Sequence, residues 1–164
     1  MSDVVAVAAG HREGGDIALT SSSIYFAGTD GTQNFVYKVP KQGGVEPSLV
    51  VTGPPRIGSA GDTVVLAEYG KPFLVLVDPG APAEYPFPAG AGDGTIAVAS
   101  DAFYGENFSP KLIARYALVD GGAPSAVAAL APAEQLDVHV NANWVFWRHD
   151  AGAPTVTQIW RAPR

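Results

Sequence analysis

The chain has no cysteine among its 164 residues. Disulfide staples and thiolate chemistry are excluded, although a lack of cysteine does not select a compartment. Charge is scarce as well: 16% of residues are charged, with 10 Lys+Arg against 16 Asp+Glu, for a net charge of −6. An acidic chain with so few cations has no electrostatic footprint for nucleic acid or anionic lipid. No apolar run approaches the 18 residues of a membrane-spanning helix. The opening stretch, MSDVVAVAAG, lacks the basic start and long apolar core of a secretory signal. The default expectation is a cytoplasmic location. Only three histidines occur, His11, His139 and His149, and none stands at zinc-ligand spacing from another.

Glycine and proline are abundant, at 19 and 14. Both weaken helices. Both also build tight turns, because Gly supplies positive φ and Pro fixes φ. The chain is moreover one unit written four times. Asp16-Ile17-Ala18-Leu19, Arg56-Ile57-Gly58-Ser59, Thr95-Ile96-Ala97-Val98 and Asp137-Val138-His139-Val140 share a register, spaced by 40, 39 and 42 residues. The 26 residues after Val138 and the first 17 of the chain together make one further period of 43. A period near 40 with about four short strands per unit is the sequence mark of a β-propeller.

Each unit reads as four strands. The first, such as Ile17-Ala18-Leu19-Thr20, alternates large apolar residues with Ala18, Gly58, Ala97 and His139. A turn follows, then the β-richest stretch: Ser23–Ala27, Thr63–Ala67, Ala102–Gly105 and Trp144–Trp147. Polar loops, including Glu106–Lys111 and Arg148–Ala153, lead to third strands at Phe35–Val39, Phe73–Val77, Leu112–Tyr116 and Gln158–Arg161. Fourth strands fall at Ser48–Val51, Ala83–Phe87 and Ser125–Leu130. Pro86 puts the second of these on an outer edge. The last unit lacks a fourth strand after Arg161, and Asp3–Ala8 supplies one from the other end of the chain. The expectation is one all-β propeller domain over residues 1–164. Its blades lie at about 17–53, 57–89, 95–131, and 137–164 completed by 1–9.

Ser23-Ile24-Tyr25-Phe26-Ala27-Gly28 through Val36-Tyr37-Lys38-Val39-Pro40-Lys41-Gln42-Gly43-Gly44 resembles bacterial propeller repeats of the "VYWT…KVPxxGG" kind and YWTD repeats. Val145-Phe146-Trp147 with Ile159-Trp160-Arg161-Ala162-Pro163 is similar. The resemblance covers all four units and is crisp in the first and last. It implies a propeller fold and nothing catalytic, since these motif residues are structural. Families of that shape include binders, scaffolds and enzymes. Four units allow two assemblies: a four-bladed ring in one chain, which the small Ala18, Gly58 and Ala97 suit, or an eight-bladed ring of two chains.

Candidate chemistry collects in the loops after second strands and before first strands, which share one face. That face carries Asp30, Arg56, Glu68, Tyr69, Lys71, Glu106, Asn107, Arg148 and His149. His139 is expected at the central channel, as a ligand or metal contact or a hydrogen-bonded packing residue. His11 and His149 flank one blade boundary and could hold a divalent metal with Glu13 or Asp150; a solvated charged rim is the plainer use. Glu68 and Glu106 are repeat-equivalent acids, as a glycosidase pair would require at a set separation. Trp144, Trp147 and Trp160 serve blade packing or stack on sugars. Gly90–Gly94 is glycine-rich, but no helix follows to make it a dinucleotide loop. There is no G-x-S-x-G elbow. Two functions follow as expectations. The first is a non-enzymatic binding or interaction module, with no resident cofactor and a small-molecule or protein partner. The second is a small hydrolase or lactonase-like enzyme with a metal at the channel mouth.

Overall fold

Runs of β-branched and aromatic residues between Gly and Pro turns give strands throughout. The computed structural model describes residues 16–29, 32–53, 56–68, 71–85, 96–108, 111–119, 123–130, 137–151 and 156–164, with backbone alone at 107–108, 149–151 and 156–157. Among these there are fifteen strands and no helix.

The strands form four antiparallel sheets, each in chain order. The first holds β1 (Ile17–Leu19), β2 (Ser23–Thr29), β3 (Asn34–Pro40) and β4 (Ser48–Thr52). The second holds β5 (Arg56–Ala60), β6 (Thr63–Ala67), β7 (Leu74–Val77) and β8 (Ala83–Glu84). The third holds β9 (Ala97–Val98), β10 (Ala102–Phe108), β11 (Lys111–Ala117) and β12 (Ser125–Ala129). The last holds β13 (Val138–Val140), β14 (Trp144–Ala151) and β15 (Val156–Pro163). The strand expected from Asp3 to Ala8 lies outside the described residues. First strands sit side by side: β1 beside β5, β5 beside β9, β9 beside β13.

Two expectations about loops are corrected. Glu106–Lys111 and Arg148–Ala153 are not loops along their length. The β10–β11 ladder runs to the pair Phe108↔Lys111, and the β14–β15 ladder to Ala151↔Val156. Polar residues there ride on paired backbone, which satisfies N–H and C=O groups that a loop would leave to water. The fourth strand of the second sheet is described as far as Tyr85, and Pro86 and Phe87 of the expected strand lie outside the described residues. Beyond Glu84 the Tyr85 N–H donates across to the Phe73 carbonyl at 2.7 Å.

Packing is sheet on sheet, in three clusters. Ala18, Tyr25 and Val36 of the first sheet meet Ile57, Val64, Leu66 and Leu76 of the second. Val65, Ala67, Phe73 and Tyr85 meet Ile96, Phe103, Ala114 and Tyr116. Ala97, Ala102, Tyr104 and Ile113 meet Val138, Val145 and Trp147. The middle cluster is aromatic. Phe103 stacks on Tyr116 with centroids 4.7 Å apart, and Phe73 meets both edge-on. Such pairs add about 0.5–1.5 kcal/mol beyond burial. Burial pushes the Tyr116 hydroxyl up to about 12, so the box stays neutral.

The small residues of the first strands have a packing reason. Ala18, paired with buried Tyr25, packs toward the second sheet. A Cβ on Gly58 would lie 2.7 Å from Val98 Cγ2 and 3.2 Å from the Ile96 carbonyl oxygen, both in the third sheet. Smallness at this position is set by the closeness of the next sheet.

Candidate functional site

The loop face begins with its acids. Glu68 follows β6, and Lys71 returns over it: the Lys71 N–H donates to the Glu68 carbonyl at 3.1 Å, and Lys71 Nζ lies 3.0 Å from Glu68 Oε1. The carboxylate rests against the backbone of Gly53, where an added Cβ would collide with it. Gly53 has φ +117°, a conformation that side-chain-bearing residues avoid. Its N–H donates to the Asn34 carbonyl at 2.7 Å. These groups wall a cavity of about 350 Å³ at the junction of the first two sheets, with Thr32, Gln33 and Thr52 completing the lining. A smaller one of about 150 Å³ adjoins it between Glu68, Leu66 and Glu84. The lining offers carboxylate, ammonium, amide and hydroxyl groups, and so both donates and accepts.

The remaining expected residues are distributed along the face. Arg56 Nη1 lies 3.8 Å from Asp16 Oδ1, and Asp16 Oδ2 accepts from the Ile57 N–H at 3.1 Å. Glu106 is 5% exposed, with Lys111 Nζ 3.3 Å from its Oε1. Arg148 Nη1 lies 3.1 Å from Asp137 Oδ2. His139 is exposed on β13, on the face of the last sheet that carries Phe146. The His149 backbone pairs with Gln158. Asp30, Tyr69, His11, Glu13 and Gly90–Gly94 fall outside the described residues, as do the side chains of Asn107, His149 and Asp150. Glu68 and Lys71 therefore line the loop-face cavity, while Arg56, Glu106, Arg148 and His139 do not. Each of the acids Glu68 and Glu106 is held by its own lysine. Among the described residues no three His, Asp or Glu side chains converge as metal ligands.

Two polar constellations escape sequence reading. Asp78, directly after β7, receives hydrogen bonds from Thr20 Oγ1 and Ser22 Oγ at 2.6 Å each and from Tyr25 Oη at 2.8 Å, and it pairs with Lys38. Its side chain is almost fully buried. Burial opposes its ionisation, but the bonds from Lys38, Ser22, Thr20 and Tyr25 outweigh it and hold the carboxyl well below the usual carboxylate range. Burial and the Asp78 charge raise Tyr25 in turn. This network clamps the first sheet to the second. The signal for it was Lys38, a cation inside an apolar strand, in register with Tyr25. Arg115 opposite Tyr104 repeats that pattern. The second constellation is a cavity of about 720 Å³ on the turn side, between the third and fourth sheets, where Arg115 and Arg164 both meet Asp101.

No protein-family model matches the chain, and no curated protein matches it in sequence.

Proposed function

We propose that the protein is a non-enzymatic binding module of the β-propeller class, its four sheets being successive blades. Its ligand is a small polyhydroxylated molecule seated in the loop-face cavity between the first two sheets. The observation that carries this reading is the Glu68–Lys71–Gly53 arrangement. A positive-φ glycine leaves room for the carboxylate, and a polar concavity opens beside it. Ligand sites are concave with a few convergent polar groups, and this one combines donors and acceptors as hydroxyl recognition needs. Successive meander sheets with adjacent first strands support the blade reading.

A hydrolytic reading would need Glu68 and Glu106 to act on one bond. Each is instead held by its own lysine, one at Lys71 and the other at Lys111. Amide-shift mapping with a panel of mono- and disaccharides tests the proposal. Saturable shifts are expected at Asn34, Gly53, Glu68 and Lys71, and they should weaken in Glu68→Gln. Shifts confined to Asp101, Arg115 and Asn143, or none with any sugar, would reject it.

A further inference from the structure

The repeat makes each sheet comparable with its neighbours, position by position. Ile17, Ile57, Ile96 and Val138 are the same residue of the repeat, each pairing with the second strand of its own sheet or leading into that pairing. Ile57, Ile96 and Val138 are 6%, 8% and 1% exposed, each covered by the sheet before it. Ile17 is 68% exposed, and Leu19 beside it is 55% exposed. The opposite faces show the same break. Val36, Phe73, Ile113 and Ile159 are equivalent on the third strands, two residues before Lys38, Val75, Arg115 and Arg161. The first three are 0%, 3% and 0% exposed, whereas Ile159 is 71% exposed. The outer face of the first sheet and the outer face of the last are thus the two unmatched halves of a fourth interface.

We propose that a second copy of this chain covers both faces. The last sheet of each copy would pack on the first sheet of the other, in a two-fold ring of eight sheets. Three lines of argument select this occupant. The two faces are complementary halves by the repeat itself, because each of the three internal junctions joins this kind of face to that kind. Propeller rings hold about four to eight blades, a range that two four-sheet copies of this chain fall within. One chain closing on itself would bury Ile17 and Ile159 as it buries their equivalents. Finally, His139 replaces Ala18, Gly58 and Ala97 at the position that faces the next sheet. A sheet as close as the third is to Gly58 leaves no room even for a Cβ. A junction at His139 must therefore be wider than the one at Gly58, and must hold more than the alanines of the other two. A junction between chains is free to be so, since head-to-tail interfaces form rings wherever the rotation closes.

The inference rests on the blade reading and not on the sugar site, so failure of ligand mapping leaves it standing. Light scattering should give twice the 16.9 kDa chain mass. Leu19→Glu should reduce this to the single-chain mass with an unchanged far-ultraviolet dichroism spectrum. Val119→Glu, at a site 83% exposed in the turn after β11 of the third sheet, should leave the dimer intact. The missing cysteines permit a decisive variant. By analogy with Gly58 against Val98, position 139 of one copy faces position 19 of the other. Leu19→Cys/His139→Cys treated with a short bismaleimide should give a covalent dimer on a denaturing gel. An internally linked monomer would mean the chain closes on itself, and would overturn the proposal. A single-chain mass for the untreated protein would overturn it too, whether a longer ring of its own or its first fifteen residues covered Ile17. So would dissociation by Val119→Glu.

Discussion

Asp78 ties the first two sheets together through four polar partners. Its carboxyl is held lower in the folded chain than the usual value near 3.9. The folded state therefore binds that proton less tightly than the unfolded chain does. The resulting stability is present in full above about pH 4 and declines as pH falls through and below it. Asp78→Asn should destabilise the protein by about 3 kcal/mol, because it strips the buried Lys38 pairing while leaving the hydroxyl donors in place. In a series of melting curves from pH 6 down to pH 2, the wild type should lose more than Asp78→Asn does. Parallel curves would show that the carboxylate is not the group that titrates. Gly53 makes a separate prediction. Its φ of +117° is costly for any side chain, so Gly53→Ala should cost about 1–3 kcal/mol and displace the Glu68 carboxylate. Urea denaturation gives the first quantity and sugar-binding amide shifts the second.

At the scale of the element, strand alternation was legible and sheet spacing was not. Thr63–Ala67 was read from β-propensity to its ends, and of the tryptophans offered for blade packing Trp147 does pack between the third and fourth sheets. The extension of β10 and β14 past Gly105 and Trp147 was missed, because Glu106, Arg148 and Asp150 look like loop residues one at a time. Only ladder pairing across the hairpin keeps them in strands. Asp78 was missed for a related reason. Its partners Thr20, Ser22, Tyr25 and Lys38 lie 40 residues or more away, and the local signal, Lys38 inside an apolar strand, does not say which acid it meets. Of the candidate site, the Glu68 and Lys71 loop was readable from its charge, while Gly53 was not, since its role appears only when two sheets meet. Gly58 likewise was legible only as a small residue suited to a tight ring. Its true constraint predicts that Gly58→Ala, harmless in an open strand, costs about 1–3 kcal/mol through overpacking against Ile96 and Val98. A stability unchanged or raised by this substitution would mean that the second and third sheets stand farther apart.

At the largest scale, three sheet junctions among the described residues repeat one packing rule, and there the last sheet carries three strands where the others carry four. Strand β15 pairs with β14 along eight residues. Its other edge would present a long row of backbone donors and acceptors to any passing strand. The alternation in Asp3-Val4-Val5-Ala6-Val7-Ala8 is that of a fourth strand, and every other unit supplies one after its third. Such a strand would complete the last sheet whether the ring holds one chain or two. A proline tests this by removing a ladder N–H while leaving a small apolar residue in place. Val5→Pro should lower the melting temperature by several degrees, a loss of about 1–3 kcal/mol in a domain of this size, and should raise aggregation on heating. Serine at position 5 keeps the N–H and should cost less than proline. Equal melting temperatures for wild type and Val5→Pro would show that this segment bears no ladder, and that the edge of β15 is protected in some other way.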